Sequence, residues 1–248
     1  MSEKILIKVE GLKEYFPVRT GILQGLRSKE VPMVKAVDGV SFSIEQGEIF
    51  GIVGESGSGK TTVGRVILML IEPTEGSIYF EGIDITKLGG DEMKKLRREM
   101  QLIFQDPFES LNPKMTIYEA VVEPLEIHKI GRSEEEKRKL VSNALEEVQL
   151  IPPDDFLFRY PHELSGGQRQ RVAIARALIL RPKFVVADEA VSSLDISIRA
   201  QILNLMKGLG DKFGTTFLFI SHDFIGFLPR KLAFFFITKK QSFVCFFY

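Results

Sequence analysis

One cysteine, Cys245, is present in 248 residues. An internal disulfide and a cysteine-rich metal site are thereby excluded, and the scarcity agrees with a reducing compartment. Net charge is missing too, since 33 Lys plus Arg balance 33 Asp plus Glu; nothing in that balance favours a nucleic acid or an acidic surface as partner. No apolar run reaches the ~18 to 20 residues that cross a bilayer, and the first residues, Met1 to Lys8, lack the length and apolar centre of a signal peptide. If such a chain serves a membrane process, it docks on the helices of other subunits. No tandem repeat or low-complexity tract interrupts the motif-bearing part, and the length suits one domain, or one domain with a subdomain.

What is present begins with Gly54-Glu55-Ser56-Gly57-Ser58-Gly59-Lys60-Thr61-Thr62. This fits G-x-x-x-x-G-K-[ST], the pattern of a phosphate-binding loop. Its flanks match the required setting. Glu48 to Val53 is a short apolar run of buried-strand type, and Val63, Val66, Ile67 and Leu70 recur at helical spacing. Glycines let backbone N–H groups turn inward around phosphate oxygens, and a helix starting at Lys60 adds the positive end of its dipole. Lys60 then reaches the β- and γ-phosphates and the Thr61 hydroxyl ligates magnesium. A Gly/Ser-rich turn that merely caps a helix is the plainer alternative.

Taken in order, residues 4–9 and 40–44 read as strands, the second alternating Val40, Phe42 and Ile44 with Ser41 and Ser43. Pro17 to Met33 reads as a loop. The aromatic pair Tyr15-Phe16 before it is available for hydrophobic packing or for stacking on a base. Ser77 to Phe80 and Ile83 to Ile85, joined by Glu81-Gly82, predict a hairpin. A helix from Asp91 to about Arg98 carries Lys94, Lys95, Arg97 and Arg98 as a solvated face. Met100 to Phe104 is a buried strand delivering Gln105. Residues 116–150 are rich in helix formers and predict a helical subdomain inserted there. Leu164-Ser165-Gly166-Gly167-Gln168 then opens a helix, offering a hydroxyl and free N–H groups: a second anion site for which one nucleotide on one chain has no obvious need.

Phe184 to Ala187 is a buried strand ending in Asp188-Glu189. Such a pair can be an ordinary acidic turn. In a protein with a phosphate-binding loop, an Asp in this position orients magnesium, and Glu189 stands where it can accept a proton from an attacking water. Ser192-Ser-Leu-Asp195 leads into another helix, and Thr215 to Ile220 is a last strand ending at His222; His128 and His162 read as surface or packing residues. Gly54, Gln105, Asp188 and His222 each follow a predicted strand. In an open parallel sheet those strand ends share one edge, where ligands bind.

These motifs, in this order over residues 4–223, resemble the ATP-binding subunits of ABC transporters. The stretches Gln105 to Thr116 and Tyr160 to Arg171 look like the oligopeptide and dipeptide importer branch. The resemblance implies an α/β P-loop NTPase fold with a mainly parallel sheet, an antiparallel β portion and a helical subdomain at about 108–165 within a nucleotide-binding domain spanning 1–223. It implies ATP hydrolysis with Mg2+: Phe16 or Tyr15 stacks on adenine, residues 54–62 hold the phosphates, and Thr61, Gln105 and Asp188 organise the metal. Glu189 is then the base and His222 the γ-phosphate sensor. Ser165, Gly166, Gly167 and Gln168 contact the nucleotide of a second ATPase subunit, the same chain or another. Membrane permease subunits, an extracytoplasmic solute-binding protein acting through them, and a peripheral position on the cytoplasmic face of the membrane follow from the same resemblance. Import of oligosaccharides or metal chelates, a soluble ABC ATPase, and a damaged subunit that binds ATP without hydrolysing it are the alternatives.

Residues 224–248 depart from the family. They hold eight Phe and no acidic residue, a composition expected of a frameshifted or truncated ending that leaves the sheet without edge strands. A divergent working terminus is the alternative; a membrane-associating tail fits less well with Pro229 and the interspersed Lys and Arg.

Overall fold

The computed structural model describes residues 4–18, 32–106 and 110–222, together with the backbone of 233–237 and 244–247. Strands Ile5–Pro17 (β1) and Met33–Glu45 (β2) pair antiparallel, and β1 also pairs with Glu75–Phe80 (β4), which turns through Glu81-Gly82 into Ile83–Asp84 (β5). Their order is β2-β1-β4-β5. β1 and β2 run well beyond the predicted 4–9 and 40–44. Register shifts between Val9 and Leu12 and between Glu14 and Tyr15 break the alternation that marks a strand in sequence, while cross-strand pairing carries the ladder on to Phe16↔Val34.

Ile49–Gly54 (β3), Met100–Ile103 (β6), Phe184–Asp188 (β7) and Thr216–Ser221 (β8) form the second sheet, in parallel order β3-β8-β7-β6. Every residue of β7 is buried, as expected of a strand covered on both faces. The backbone of Ala233–Ile237 (β9) extends this sheet parallel to β3, and Val244–Phe247 (β10) pairs antiparallel to β9. The expected loss of edge strands is therefore not seen. The open edge of β3 offers a row of backbone donors and acceptors, and an aromatic-rich segment has the propensity to take it. Residues 19–31 of the expected loop and the side chains of the Phe-rich tail lie outside the described residues.

Helices Lys60–Ile67 (α1) and Gly90–Leu96 (α2) accompany the sheets. A helical layer follows: Ile117–Ile127 (α3), Glu134–Glu147 (α4), the short Asp154–Leu157 (α5) and Gly166–Leu178 (α6), then Ile196–Phe213 (α7). Their starts are written in sequence. Thr116 and Glu119 form a capping box on α3, Ser133 accepts from Glu136 N–H ahead of three glutamates in the first turn of α4, and Asp195 caps α7. Two cores result. One, with Leu12, Ile52, Val63, Ile67, Val186 and Ile220, fills the space between the sheets around α1; the other, with Val121, Leu145, Val172, Ile174, Val185 and Met206, joins the opposite face of the parallel sheet to α3, α4, α6 and α7. Successive residues of β7 alternate between them, Phe184 and Val186 to the first, Val185 and Ala187 to the second. No helix among the described residues is long and apolar enough to cross a membrane.

Candidate active site

The carboxyl ends of β3, β6, β7 and β8 lie on one edge because the four strands are mutually parallel. β3 runs into residues 54–62. Gly59 N-caps α1 in the left-handed region, φ +95°, with no side-chain cap, so the first N–H groups of α1 face out of the helix end. A Cβ on Gly59 would stand 2.1 Å from the Ala36 carbonyl oxygen of β2; only glycine fits there. Gly54 and Glu55 supply carbonyls to the Lys60 ammonium, each at 2.8 Å. Glu55, Ser56 and Gly57 are exposed, whereas Ser58 and Lys60 are buried and Thr62 is half-buried. The Ser58 hydroxyl has no hydrogen-bond partner. Burial pushes the Lys60 ammonium below its ordinary pKa, opposed by attraction to Glu189 and Asp188.

β7 delivers the two carboxylates. The Thr61 hydroxyl donates to Asp188 Oδ1 at 2.9 Å, tying the phosphate-binding loop to the end of β7. Burial raises the Asp188 pKa above the usual carboxylate range, although the Thr61 hydrogen bond and the Arg65 charge pull the other way. Glu189, largely buried, accepts from Gln105 Nε2 at 2.9 Å, and His222 Nδ1 lies 3.4 Å from the same oxygen. Gln105 comes from the end of β6 and His222 from the end of β8, so the four strand-end groups meet as the sequence predicts. A buried ammonium, an unpartnered buried hydroxyl and outward N–H groups suit a polyanion. The Thr61 hydroxyl, the Asp188 carboxylate and the Gln105 amide oxygen are hard oxygen donors of the kind magnesium takes. Residues and group fit.

The signature lies apart from this cluster, at the start of α6. Ser165 Oγ accepts from Gln168 N–H at 3.3 Å and Gln168 Oε1 from Ser165 N–H at 2.9 Å, a reciprocal capping box. Gly167 is buried beside Ile198 of α7, and Gly166 is half-buried. At the carboxyl end of β1 the two aromatics separate. Tyr15 donates its hydroxyl to the Asp38 carboxylate and carries the Lys35 ammonium 5.2 Å from its ring centre. Phe16, the next residue, is exposed.

The ABC transporter family profile matches residues 37–192. The chain belongs to that family. It is similar to the oligopeptide transport ATP-binding protein AppF of Bacillus subtilis, 49% identical over 223 residues that make up 90% of this chain and 66% of that one. It is also similar to the glutathione import ATP-binding protein GsiA of Pectobacterium atrosepticum, 50% identical over 218 residues, 88% of this chain and 34% of that one. This ABC chain thus spans just under two thirds of the length of AppF and a smaller share of GsiA. Among solved structures, the dimeric post-hydrolysis state of the cassette MJ0796 bound to ADP and Pi superposes with a TM-score of 0.77 at 32% identity, covering 92% of this chain and 94% of that one. The fold is that of an ABC ATPase cassette.

Two features escaped the sequence. Arg176 of α6 donates to the Ser110 carbonyl at 3.1 Å and to Glu123 of α3 at 2.7 Å, linking the signature helix to the segment that follows Gln105. Beside it runs a groove of about 250 Å³, lined by Leu70, Arg97, Phe104, Ile127, His128 and Arg176 among others. An arginine on an otherwise apolar helix face was the only signal for the first. The groove had none, because its walls come from distant segments.

Proposed function

We propose that the chain is the ATP-binding and ATP-hydrolysing subunit that energises an importer of oligopeptides or dipeptides. The observation that carries this reading is the meeting of Thr61 with Asp188 and of Glu189 with Gln105 and His222 on one sheet edge. On binding, Lys60 exchanges two backbone carbonyls for the β- and γ-phosphate oxygens, and residues 54–62 turn N–H groups to the remaining oxygens. Thr61, Asp188 and Gln105 would hold magnesium, which when bound would neutralise charge on the phosphates. Phe16 stacks on the base. Glu189, oriented by the Gln105 amide and the His222 ring, takes the proton of the attacking water, while His222 contacts the γ-phosphate. Ser165, Gly166, Gly167 and Gln168 face the nucleotide of a second subunit, a role supported by the dimeric state of the MJ0796 cassette.

The name of AppF, an oligopeptide transport protein at 49% identity, supports the peptide assignment. The groove supports membrane permease subunits as partners. Leu70 and Ile127 on its walls are 51% and 56% exposed, an apolar lining suited to a helix, and its lining includes residues of both β6, which leads to Gln105, and the signature helix. A solute-binding protein acts through those permeases, and the subunit is peripheral on the cytoplasmic face. Turnover of the full chain beside Glu189→Gln is the test. Retained ATP binding with a ~100- to 10,000-fold loss of rate is expected for removal of a general base; equal turnover in the two proteins sinks the reading.

A further inference from the structure

Glu189 is the one residue of the strand-end cluster whose backbone is strained. Its φ is +46°, a conformation that costs a non-glycine residue energy and persists only where the surroundings impose it. What the conformation achieves follows from the alternation along β7. Asp188 shares the face of Phe184 and Val186 and reaches Thr61, so a Glu189 left in extended conformation would point to the opposite face, into the core shared with α6 and α7. The left-handed residue instead turns the carboxylate along the sheet edge, to Gln105 and His222.

The groups that impose it are few. Glu189 N–H donates to the Ile220 carbonyl at 2.9 Å and so carries the β7/β8 ladder one residue past the strand. The Glu189 carbonyl then accepts twice from a single residue, Ser192, from its N–H at 3.0 Å and its hydroxyl at 2.9 Å. Ser192 is itself fixed from α7, because Arg199 donates to its carbonyl at 3.2 Å. The N–H bond belongs to any residue in that turn; the hydroxyl bond belongs to this side chain.

We propose that Ser192 is a positioning residue for hydrolysis, its hydroxyl holding the Glu189 backbone in the left-handed conformation that aims the carboxylate at the reacting water. The inference rests on the reading of Glu189 as the base. Ser192 touches neither nucleotide nor water in this role; it acts through Glu189 alone.

Steady-state and single-turnover ATPase of the full chain test it, with thermal unfolding run on each variant. Ser192→Ala should lower kcat roughly five- to tenfold, the rate equivalent of one hydrogen bond, and leave KM for ATP unchanged. Ser192→Thr, which keeps the hydroxyl, should stay within about twofold of wild type, and Ser192→Cys, a weaker donor, should fall between. In a Glu189→Gln background the same Ser192→Ala change should cost nothing further, since there is no base left to aim. A loss that appears in KM, one that Thr does not rescue, or one that recurs undiminished in the Glu189→Gln background overturns the proposal, as does an unchanged kcat. If Ser192→Ala fails to fold, the Thr and Cys variants carry the same comparison. Undiminished turnover of Glu189→Gln itself would instead sink the assignment of the base, an outcome distinct from failure of the serine.

Discussion

The strand-end edge and the start of the signature helix are both anion-binding designs, yet they stand in opposite states within one chain. At the edge, charges are buried: burial depresses the Lys60 pKa and raises that of Asp188, and the Ser58 hydroxyl has no hydrogen-bond partner among the described residues. At the signature, Ser165 and Gln168 satisfy each other in an exposed capping box. The first region is electrostatically incomplete without a ligand, and the second is complete alone. A capping box needs only Ser-x-x-Gln; Leu164 is buried in the core and Gly167 packs beside Ile198, which leaves Gly166 without a task among the described residues. That difference supports a division of labour in which each copy contributes the charged half of one site and the polar half of another.

Splitting the two halves between chains gives the largest expected effect. Lys60→Met should lose ATP binding and at least ~100-fold in rate, in the range seen when one preorganised charge-stabilising donor is removed. Ser165→Arg should bind ATP normally and lose hydrolysis to a similar extent, because its own phosphate-binding loop is untouched. Mixed in equal parts, the two inactive proteins should recover up to about a quarter of wild-type turnover, since half the two-fold dimers are mixed and each has one intact composite site. Absence of recovery when both proteins are folded and Ser165→Arg binds ATP would assign the second half-site to a different chain.

The legibility of the two regions differed for the same reason that their states do. Strand ends were readable because buried parallel strands are short apolar runs and a polar residue closing such a run stands out: Gln105, Asp188 and His222 were all found this way. The start of the signature helix was readable because Leu164 to Gln168 is one local stretch. What could not be read came from distant segments or from backbone geometry. Tyr15 remained an alternative to Phe16 until Asp38 and Lys35, twenty or more residues along the chain from it in β2, engaged the tyrosine. The reach of β1 and β2 was hidden by bulges, and the groove by the dispersal of its walls. The left-handed turn at Glu189 has no composition signal, since glutamate is not a residue that favours it.

The two signature glycines sharpen the comparison at a smaller scale. A Cβ on Gly167 would come within 2.9 Å of Ile198, so this glycine has a packing reason inside the chain; on Gly166 it would meet Leu194 at an ordinary 3.5 Å. Gly167→Ala should therefore lose about 1 to 3 kcal/mol of stability by overpacking α6 against α7. Gly166→Ala should gain up to ~1 kcal/mol from helix propensity and still lose ATPase activity if, as proposed, Gly166 faces the nucleotide of a second subunit. Equal stability losses in the two variants would remove the argument that Gly166 is kept for a partner.

The smallest expected effect tests the claim that the strand-end edge is incomplete. Burial outweighs the Thr61 hydrogen bond and the nearby cations in setting the Asp188 pKa, so the ionised carboxylate lowers the stability of the nucleotide-free protein. Asp188→Asn keeps an oxygen for the Thr61 hydroxyl and removes the buried charge. A folded-state pKa above the unfolded value means that the native protein takes up this proton first as pH falls, so the penalty is present above the folded pKa and relieved as pH drops towards the unfolded value. The variant should accordingly unfold at a higher temperature than wild type at neutral pH, by on the order of 1 kcal/mol or ~2–4 °C for a chain of this size, and the advantage should vanish near pH 4. Adding Mg-ATP should reverse the order, because binding to the native state stabilises it in proportion to affinity and the wild type alone keeps the carboxylate proposed to hold magnesium. A variant less stable than wild type at every pH would show that Thr61, Lys60 and Arg65 already complete the site without a ligand, and the contrast with the signature helix would fail at its physical root.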